Sequence, residues 1–215
     1  MKHFDRAALA QVLANGIRQL GLHENESQFL HLLSYLALLH KWNEVYNLTA
    51  VRDPMQMVTH HLLDSLAAVP AFDGAKNVLD VGAGGGLPGI VLAIARPDMQ
   101  VTLIDTVNKK TAFLTQVKVE LGLSNVTVIT GRVEQLEVEE KFDVITSRAF
   151  ADLSDFVNWS GHLLAEGGQF IAMKGVAPPD EQARLPEQWK VTEVRALSVP
   201  WLGAERHLVI IKKKE

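Results

Sequence analysis

The chain has 215 residues, enough for one large domain or for one domain with an appended subdomain. Apolar residues make up 47% and charged residues 21%, as in ordinary globular proteins, and the absence of cysteine excludes disulfides and thiolate metal sites. A formal net charge of -4 argues against a dedicated binder of polyanions, which is usually basic, but leaves room for a local basic patch.

The first segment, MKHFDRAALAQVLANGIRQLGL, does not read as a signal peptide, because Asp5, Arg6, Gln11 and Arg18 interrupt its apolar residues. No apolar run approaches the roughly 20 residues of a membrane span, so the expectation is a soluble, cytoplasmic protein with no membrane partner. Leu9, Val12, Leu13, Ile17 and Leu20 fall on one helical face, with Asp5 as cap and Gly21 as stop. Phe29, Leu32, Leu33 and Leu36 mark a second helix, and Asn25 with Gln28 resembles a capping box. Asp53-Pro54 opens a third, whose buried face is Val58, Leu62, Ser65, Leu66 and Val69.

Near residue 77 the pattern changes. Asn77–Val81, Gln100–Asp105, Asn125–Thr130, Phe142–Ser147 and Gln169–Lys174 are short and rich in Val, Ile and Phe, and helical stretches at about 87–95, 108–121 and 153–164 lie between them. Strands alternating with helices predict a parallel sheet with right-handed crossovers. The stretch 178–186 reads as a surface connection. Val191–Val199 and Arg206–Ile211 are joined by a Pro/Gly loop too short for a helix, which predicts an antiparallel hairpin. The expected division is a helical subdomain at 1–72 and a ligand-binding domain at 73–215.

The first strand runs directly into DVGAGGGLPGI (80–90), with glycines at 82, 84, 85, 86 and 89. The pattern formally matches a dinucleotide fingerprint, but the tighter description is Asp80-x-Gly82-x-Gly84-x-Gly86. An acid directly before the turn repels a pyrophosphate and suits a ligand with an ammonium group. No Lys-Ser/Thr follows the glycines, which excludes a Walker phosphate loop. Asp105 closes the second strand, where an acid can accept from ribose hydroxyls. The two acids together suit S-adenosylmethionine, a nucleoside with a cationic amino-acid tail and no phosphate. The terminal hairpin agrees, since a parallel sheet with one reversed last strand is the methyltransferase variant of the doubly wound fold. A dinucleotide oxidoreductase, a small-molecule methyltransferase and a protein that senses the cofactor without transferring methyl are the alternative readings of these residues.

HKWNEVYNLTAVRDP (40–54), HHLLDSL (60–66), DVGAGGGLPGI (80–90), SRAF (147–150), MKG (173–175) and ERHLVII (205–211) together resemble the bacterial small-subunit ribosomal RNA guanine-N7 methyltransferase G family, also called glucose-inhibited division protein B. The match runs in order over nearly the whole chain. The resemblance implies a Rossmann-like class I methyltransferase: a seven-stranded, mostly parallel sheet with an antiparallel C-terminal hairpin, preceded by a helical extension. It implies methyl transfer from S-adenosylmethionine to N7 of one guanine of 16S ribosomal RNA, in the small subunit or an assembly intermediate, near the decoding site. A monomer is expected. Beside Asp80, Gly84 and Gly86, the cofactor residues it implies are Gly82 and Leu87 on the methionine and ribose side, Asp105 at the ribose, Val133 and Glu134 flanking the adenine, and Arg148 reaching the site.

Guanine N7 carries a free lone pair and no proton, and the sulfonium methyl is already activated, so transfer needs no general base. Catalysis should come from alignment and exclusion of water; no catalytic residue is assigned. Arg148 and Lys174, at strand ends, are candidates for positioning substrate, against the plainer reading of a structural salt bridge or a solvated cation. Lys109, Lys110, Arg132, Arg206, His207 and Lys212–Lys214 could complete a basic surface. Asn43, Tyr46, Asn47, His60, His61, Asp64 and Ser65 suggest a buried hydrogen-bond network, and His60 with Asp64 lacks a third ligand for a metal. Trp42 and Tyr46 could stack on a base but fit a helix core as well.

Overall fold

In the computed structural model, residues 4–148, 150, 152–177 and 179–214 are described; residues 1–3, 149 of the SRAF motif, 151, 178 at the start of the expected surface connection, and 215 lie outside this set. The Asp5 carboxylate accepts from the backbone N–H groups of Ala7 and Ala8, both at 3.1 Å, and so caps helix α1 (Arg6–Gln19). The chain leaves that helix through Gly21 at φ +69°. Helix α2 (Glu26–Tyr46) opens on the reciprocal Asn25–Gln28 capping box and closes at Asn47, a left-handed residue at φ 50°. Asp53 caps α3 (Pro54–Met57) through Met55 N–H.

The third helix departs from the expected plain α-helix. After Met57 it widens into a π-helical segment, Val58–Leu63, before returning to α4 (Asp64–Ala68). Val58, Leu62, Ser65, Leu66 and Val69 are all buried nonetheless. The wider turns bury Thr59, His61 and Asp64 as well, polar groups that a regular apolar stripe does not account for.

The strands are β1 (Asn77–Val81), β2 (Gln100–Asp105), β3 (Val126–Thr130), β4 (Phe142–Ser147), β5 (Leu164–Lys174), β6 (Trp189–Ala196) and β7 (His207–Lys213). They form one sheet in the order β3-β2-β1-β4-β5-β7-β6, parallel except that β7 runs antiparallel to β5 and β6. The expected seven-stranded sheet with a reversed hairpin is therefore present. β5 starts at Leu164, which pairs with Phe142, rather than at Gln169, and β6 covers 189–196 rather than 191–199, with Leu197 N–H bonding Arg206 C=O beyond its end. The stretch read as a surface connection contains the short helix α8 (Pro179–Ala183).

Alternation along the strands decides which helix covers which face. Val78, Val101, Leu103, Val144 and Ile171 pack with the N-terminal helices, α5 (Gly89–Ala95) and α6 (Asn108–Glu120) in one core. Their neighbours Leu79, Val81, Ile104, Ile145 and Phe170 pack with α7 (Leu153–Ser160) on the other. The N-terminal helices thus share a core with half of the sheet: Leu9, Leu13, Leu36 and Leu39 are all fully buried there, each burial contributing about 1.5–3 kcal/mol. Strand order reverses between β1 and β4, which opens a crevice at their carboxyl ends.

Candidate functional site

The turn after β1 needs glycine for two separate reasons. Gly82, Gly84 and Gly86 have φ of +67°, +57° and +90°, a region side chains rarely adopt. Gly89 is required by contact: a Cβ there would lie 2.2 Å from Leu103 Cδ2 and 2.7 Å from Asp80 Oδ2. That close approach lets Gly89 N–H, at the start of α5, donate to Asp80 Oδ2 at 2.8 Å. The other Asp80 oxygen has no partner and is fully buried. Burial pushes the Asp80 carboxyl up to about 7, against the opposing Gly89 hydrogen bond and the nearby Arg148 charge.

Asp105, at the end of β2, organises the same turn. Its Oδ2 accepts from Gly84 N–H at 3.0 Å and from Lys110 Nζ at 3.4 Å, and its Oδ1 accepts from Val107 N–H at 2.9 Å. A carboxylate has about four acceptor sites, so capacity remains for a ligand hydroxyl. On the far side, Tyr35 of α2 donates its hydroxyl to Gly85 C=O at 2.5 Å. Its burial raises the phenol pKa above the ordinary range, so the hydroxyl stays a donor.

A cleft of about 440 Å³ opens beside this turn at the carboxyl edge of the sheet. Val81, Gly82, Asp105, Val133 and Glu134 stand in its wall, so four of the expected cofactor residues converge: Gly82, Asp105, Val133 and Glu134. Asp80 at the end of β1 and Gly84, Gly86 and Leu87 of the turn are not in the cleft wall; nor are Arg148, which is turned to Asp64, and Lys174, which meets the cleft residue Phe150 at its backbone. Sequence reasoning missed the apolar side, Phe150 and Trp159, and the acid Asp155. Phe150 belongs to the SRAF stretch, but nothing local marks Trp159, which reaches the cleft only because α7 packs across the sheet. Phe150 lies edge-on to Trp159 with ring centroids 5.4 Å apart.

Arg148 forms the salt bridge that its plainer reading allows. Its Nη1 donates to Asp64 Oδ2 at 2.9 Å and to His60 C=O at 3.3 Å. Arg206 Nε donates to the other Asp64 oxygen, also at 2.9 Å. Asp64 is buried, with two guanidinium groups on one carboxylate, so the cluster carries one net positive charge. Lys174 Nζ donates to Phe150 C=O at 3.0 Å and Glu181 Oε2 at 2.8 Å. Of the other cations, Lys110 faces Asp105, Arg132 pairs with Glu134 at 2.9 Å, and His207 Nδ1 donates to Gly175 C=O at 3.1 Å.

Of the polar residues expected in a buried network, Asn43 and His61 form a local one, whereas Tyr46 and Asn47 are exposed and Ser65 Oγ is buried without a partner. Asn43 Nδ2 donates to Val51 C=O, Thr49 N–H donates to Asn43 Oδ1, and Thr49 Oγ1 lies 2.9 Å from His61 Nε2. These bonds fix the 47–53 loop against the π-helical segment. Burial pushes His61 down to about 4, so its ring is neutral at pH 7. The link from helices to glycine turn is made instead by Tyr35. Trp42 donates to Gln116 Oε1 at 3.0 Å and packs on Phe113, a core role. Asp64 faces the two arginines, and His60 Nδ1 donates to Gln56 C=O at 3.0 Å.

Residues 28–209 match the sequence model of a family described as rRNA small subunit methyltransferase G. The chain is 70% identical to the ribosomal RNA small subunit methyltransferase G of Herminiimonas arsenicoxydans, over 99% of this chain and 100% of that one. It is 54% identical to the protein of the same name from Aromatoleum aromaticum, over 95% and 99%. Among solved structures, the O-methyltransferase TomG of Streptomyces achromogenes, crystallised with S-adenosylmethionine, is similar over 99% of this chain and 100% of that one. The TM-score is 0.63 at 18% identity, a likeness of fold.

Proposed function

The chain belongs to the rRNA small subunit methyltransferase G family, and from that premise we propose how its site works. The protein is a methyltransferase of small-subunit ribosomal RNA, with S-adenosylmethionine as methyl donor. The acceptor is N7 of one guanine of 16S RNA, in the small subunit or an assembly intermediate. The observation that carries the reading is the cleft at the switch point, where Asp105 stands beside bare glycine backbone with acceptor capacity to spare.

The residues present fit the cofactor. Asp105 is placed to orient a ribose, and Gly82 leaves room for close approach to backbone. Val133 and Glu134 flank the adenine region, closed by Phe150 and Trp159. Asp80, with one buried oxygen unpartnered behind the turn, favours a cationic amino-acid tail. Gly84, Gly86 and Leu87 shape the turn, and Arg148 and Lys174 position substrate from the flank. When bound, the cofactor supplies an already activated methyl group. The protein has no proton to remove from guanine N7, so its own residues act by holding the two partners in line and excluding water. We further propose that the protein is cytoplasmic and monomeric, and that residues 1–72 serve as a helical subdomain to the methyltransferase domain at 73–215. Among the described residues no helix is long and apolar enough to cross a membrane.

The test uses small subunits from cells lacking this protein, incubated with purified protein and cofactor carrying a labelled methyl group, followed by nuclease digestion and mass spectrometry. Label on a single guanine as 7-methylguanine is expected. Label elsewhere in the RNA would overturn the N7 assignment, and no label on subunits or naked RNA would overturn the substrate.

A further inference from the structure

A second concavity, of about 630 Å³, lies beyond the Asp64 cluster. Asn15 of α1, Met55 and Gln56 of α3, and His60 of the π-helical segment form one wall; Trp201 and Leu202 of the β6–β7 loop form the other. Trp201 is 53% exposed and sits at φ +57°, a conformation rarely tolerated by an aromatic residue. Leu202 beneath it is buried, and its N–H bonds Val199 C=O, so the loop presents the indole from an anchored base. Five residues on, Arg206 serves Asp64 through Nε and Glu205 C=O through Nη1, which leaves its Nη2 donors available among the described residues. Side-chain contacts tie the groove to the reaction site: Arg206 and Arg148 share Asp64, Arg148 holds His60 C=O, and Phe150, two residues after Arg148, lines the cofactor cleft. Gln56 also lines a further hollow of about 540 Å³ that includes His40 and Arg52 together with the acids Glu44 and Asp53.

An exposed aromatic face and a guanidinium with free donors, beside a hollow that mixes Met55 and Leu202 with Asn15, Gln56 and His60, suit single-stranded RNA, which needs a surface for base stacking and a partner for phosphate. We propose that this groove seats the single-stranded ribosomal RNA segment flanking the target guanine, with Trp201 stacked on a base and Arg206 beside a phosphate. The proposal rests on the ribosomal RNA methyltransferase reading and adds to it the face on which RNA arrives. The net positive charge of the Asp64 cluster favours that occupant, against the acids Glu44 and Asp53 of the adjoining hollow and Glu205 next to Arg206 in the chain.

The experiment pairs kinetics with crosslinking on small subunits from cells lacking the protein. Trp201→Ala should raise KM for subunits by about tenfold, as expected for loss of one stacked base. Cofactor affinity by calorimetry and melting temperature should stay at wild-type values, and Trp201→Phe should restore most of the affinity. Ultraviolet crosslinking of the wild-type protein should join residues 197–206 to a nucleotide near the methylated position. Unchanged KM in Trp201→Ala, failure of Trp201→Phe to restore it, or a parallel fall in kcat and melting temperature would overturn the groove while leaving the methyltransferase reading intact. A crosslink from this loop to a ribosomal protein would replace RNA as the occupant. Crosslinking to RNA without methyl transfer by the wild-type protein would keep the groove and overturn the reaction.

Discussion

Asp80 lies where a motif residue and a buried charge conflict. Its carboxyl titrates near 7 in the folded protein and near 3.8 without burial, so between about pH 4 and 7 the folded state holds a proton that the unfolded state has lost. The stability associated with that proton is fully present below pH 4 and is lost as pH rises through 7. Asparagine keeps a carbonyl to accept Gly89 N–H and carries no charge. Asp80→Asn should therefore match wild type near pH 4 in urea melts and exceed it progressively up to pH 8. A constant difference across that range would show that Asp80 does not titrate as described. His61 has the opposite sign, its contribution being lost as pH falls from 6.5 toward 4, but it is common to both proteins and cancels in the comparison. The motif Asp80-x-Gly82-x-Gly84-x-Gly86 was legible as a ligand turn. That Asp80 stands behind the turn, in contact with α5, was not, because strand alternation sends its side chain to the helical face.

At the level of elements, the turn and α5 are one unit. Gly89 opens the helix, bonds Asp80 and touches Leu103 across the sheet, so α5 can sit this close to β1 and β2 only without a Cβ. Gly89→Ala should cost about 1–3 kcal/mol by overpacking, read from the urea midpoint, with a further loss of cofactor affinity as the turn shifts. Helix starts were legible because their signals are local: Asp5, the Asn25–Gln28 pair and Asp53-Pro54 act within four residues of themselves. The π-helical segment had no such signal. Its residues keep the apolar spacing of an ordinary helix, while the contacts of His61 with Thr49, and of Asp64 just after it with the two arginines, join residues far apart in the chain.

At the level of the whole molecule, Asp64 joins three parts of the chain: its own helix, Arg148 after β4 and Arg206 before β7. Asp64→Ala would leave two guanidinium groups facing each other without a counter-charge. The expected cost is about 1–3 kcal/mol in thermal or urea melts, less than for a fully buried pair because water reaches roughly a quarter of each arginine side chain. Methyl transfer to subunits should fall further than stability alone explains, since both arginines border the proposed RNA path. The shared core of N-terminal helices and sheet bears on the division proposed at residue 72. We regard it as a change of architecture along the chain rather than a boundary between separate cores, since Leu9, Leu36 and Leu39 pack in the same cluster as Val78 and Leu103.

The sequence by itself determined the order of strands and helices, the reversed hairpin, the capped helix starts and the glycine turn with its two acids. Each is written in contiguous residues whose spacing carries the physics: period two for strands, period 3.6 for helices, and glycine at the positive-φ positions of the turn after β1. Tertiary structure alone decided which groups meet. It set Phe150 and Trp159 across the cleft from Asp105, Tyr35 against Gly85, and Arg148 and Arg206 on one carboxylate. It also left Trp201 exposed beside a groove. These pairs are separated by tens of residues, and no local spacing encodes them, because their contact depends on how the sheet brings distant strand ends to one edge.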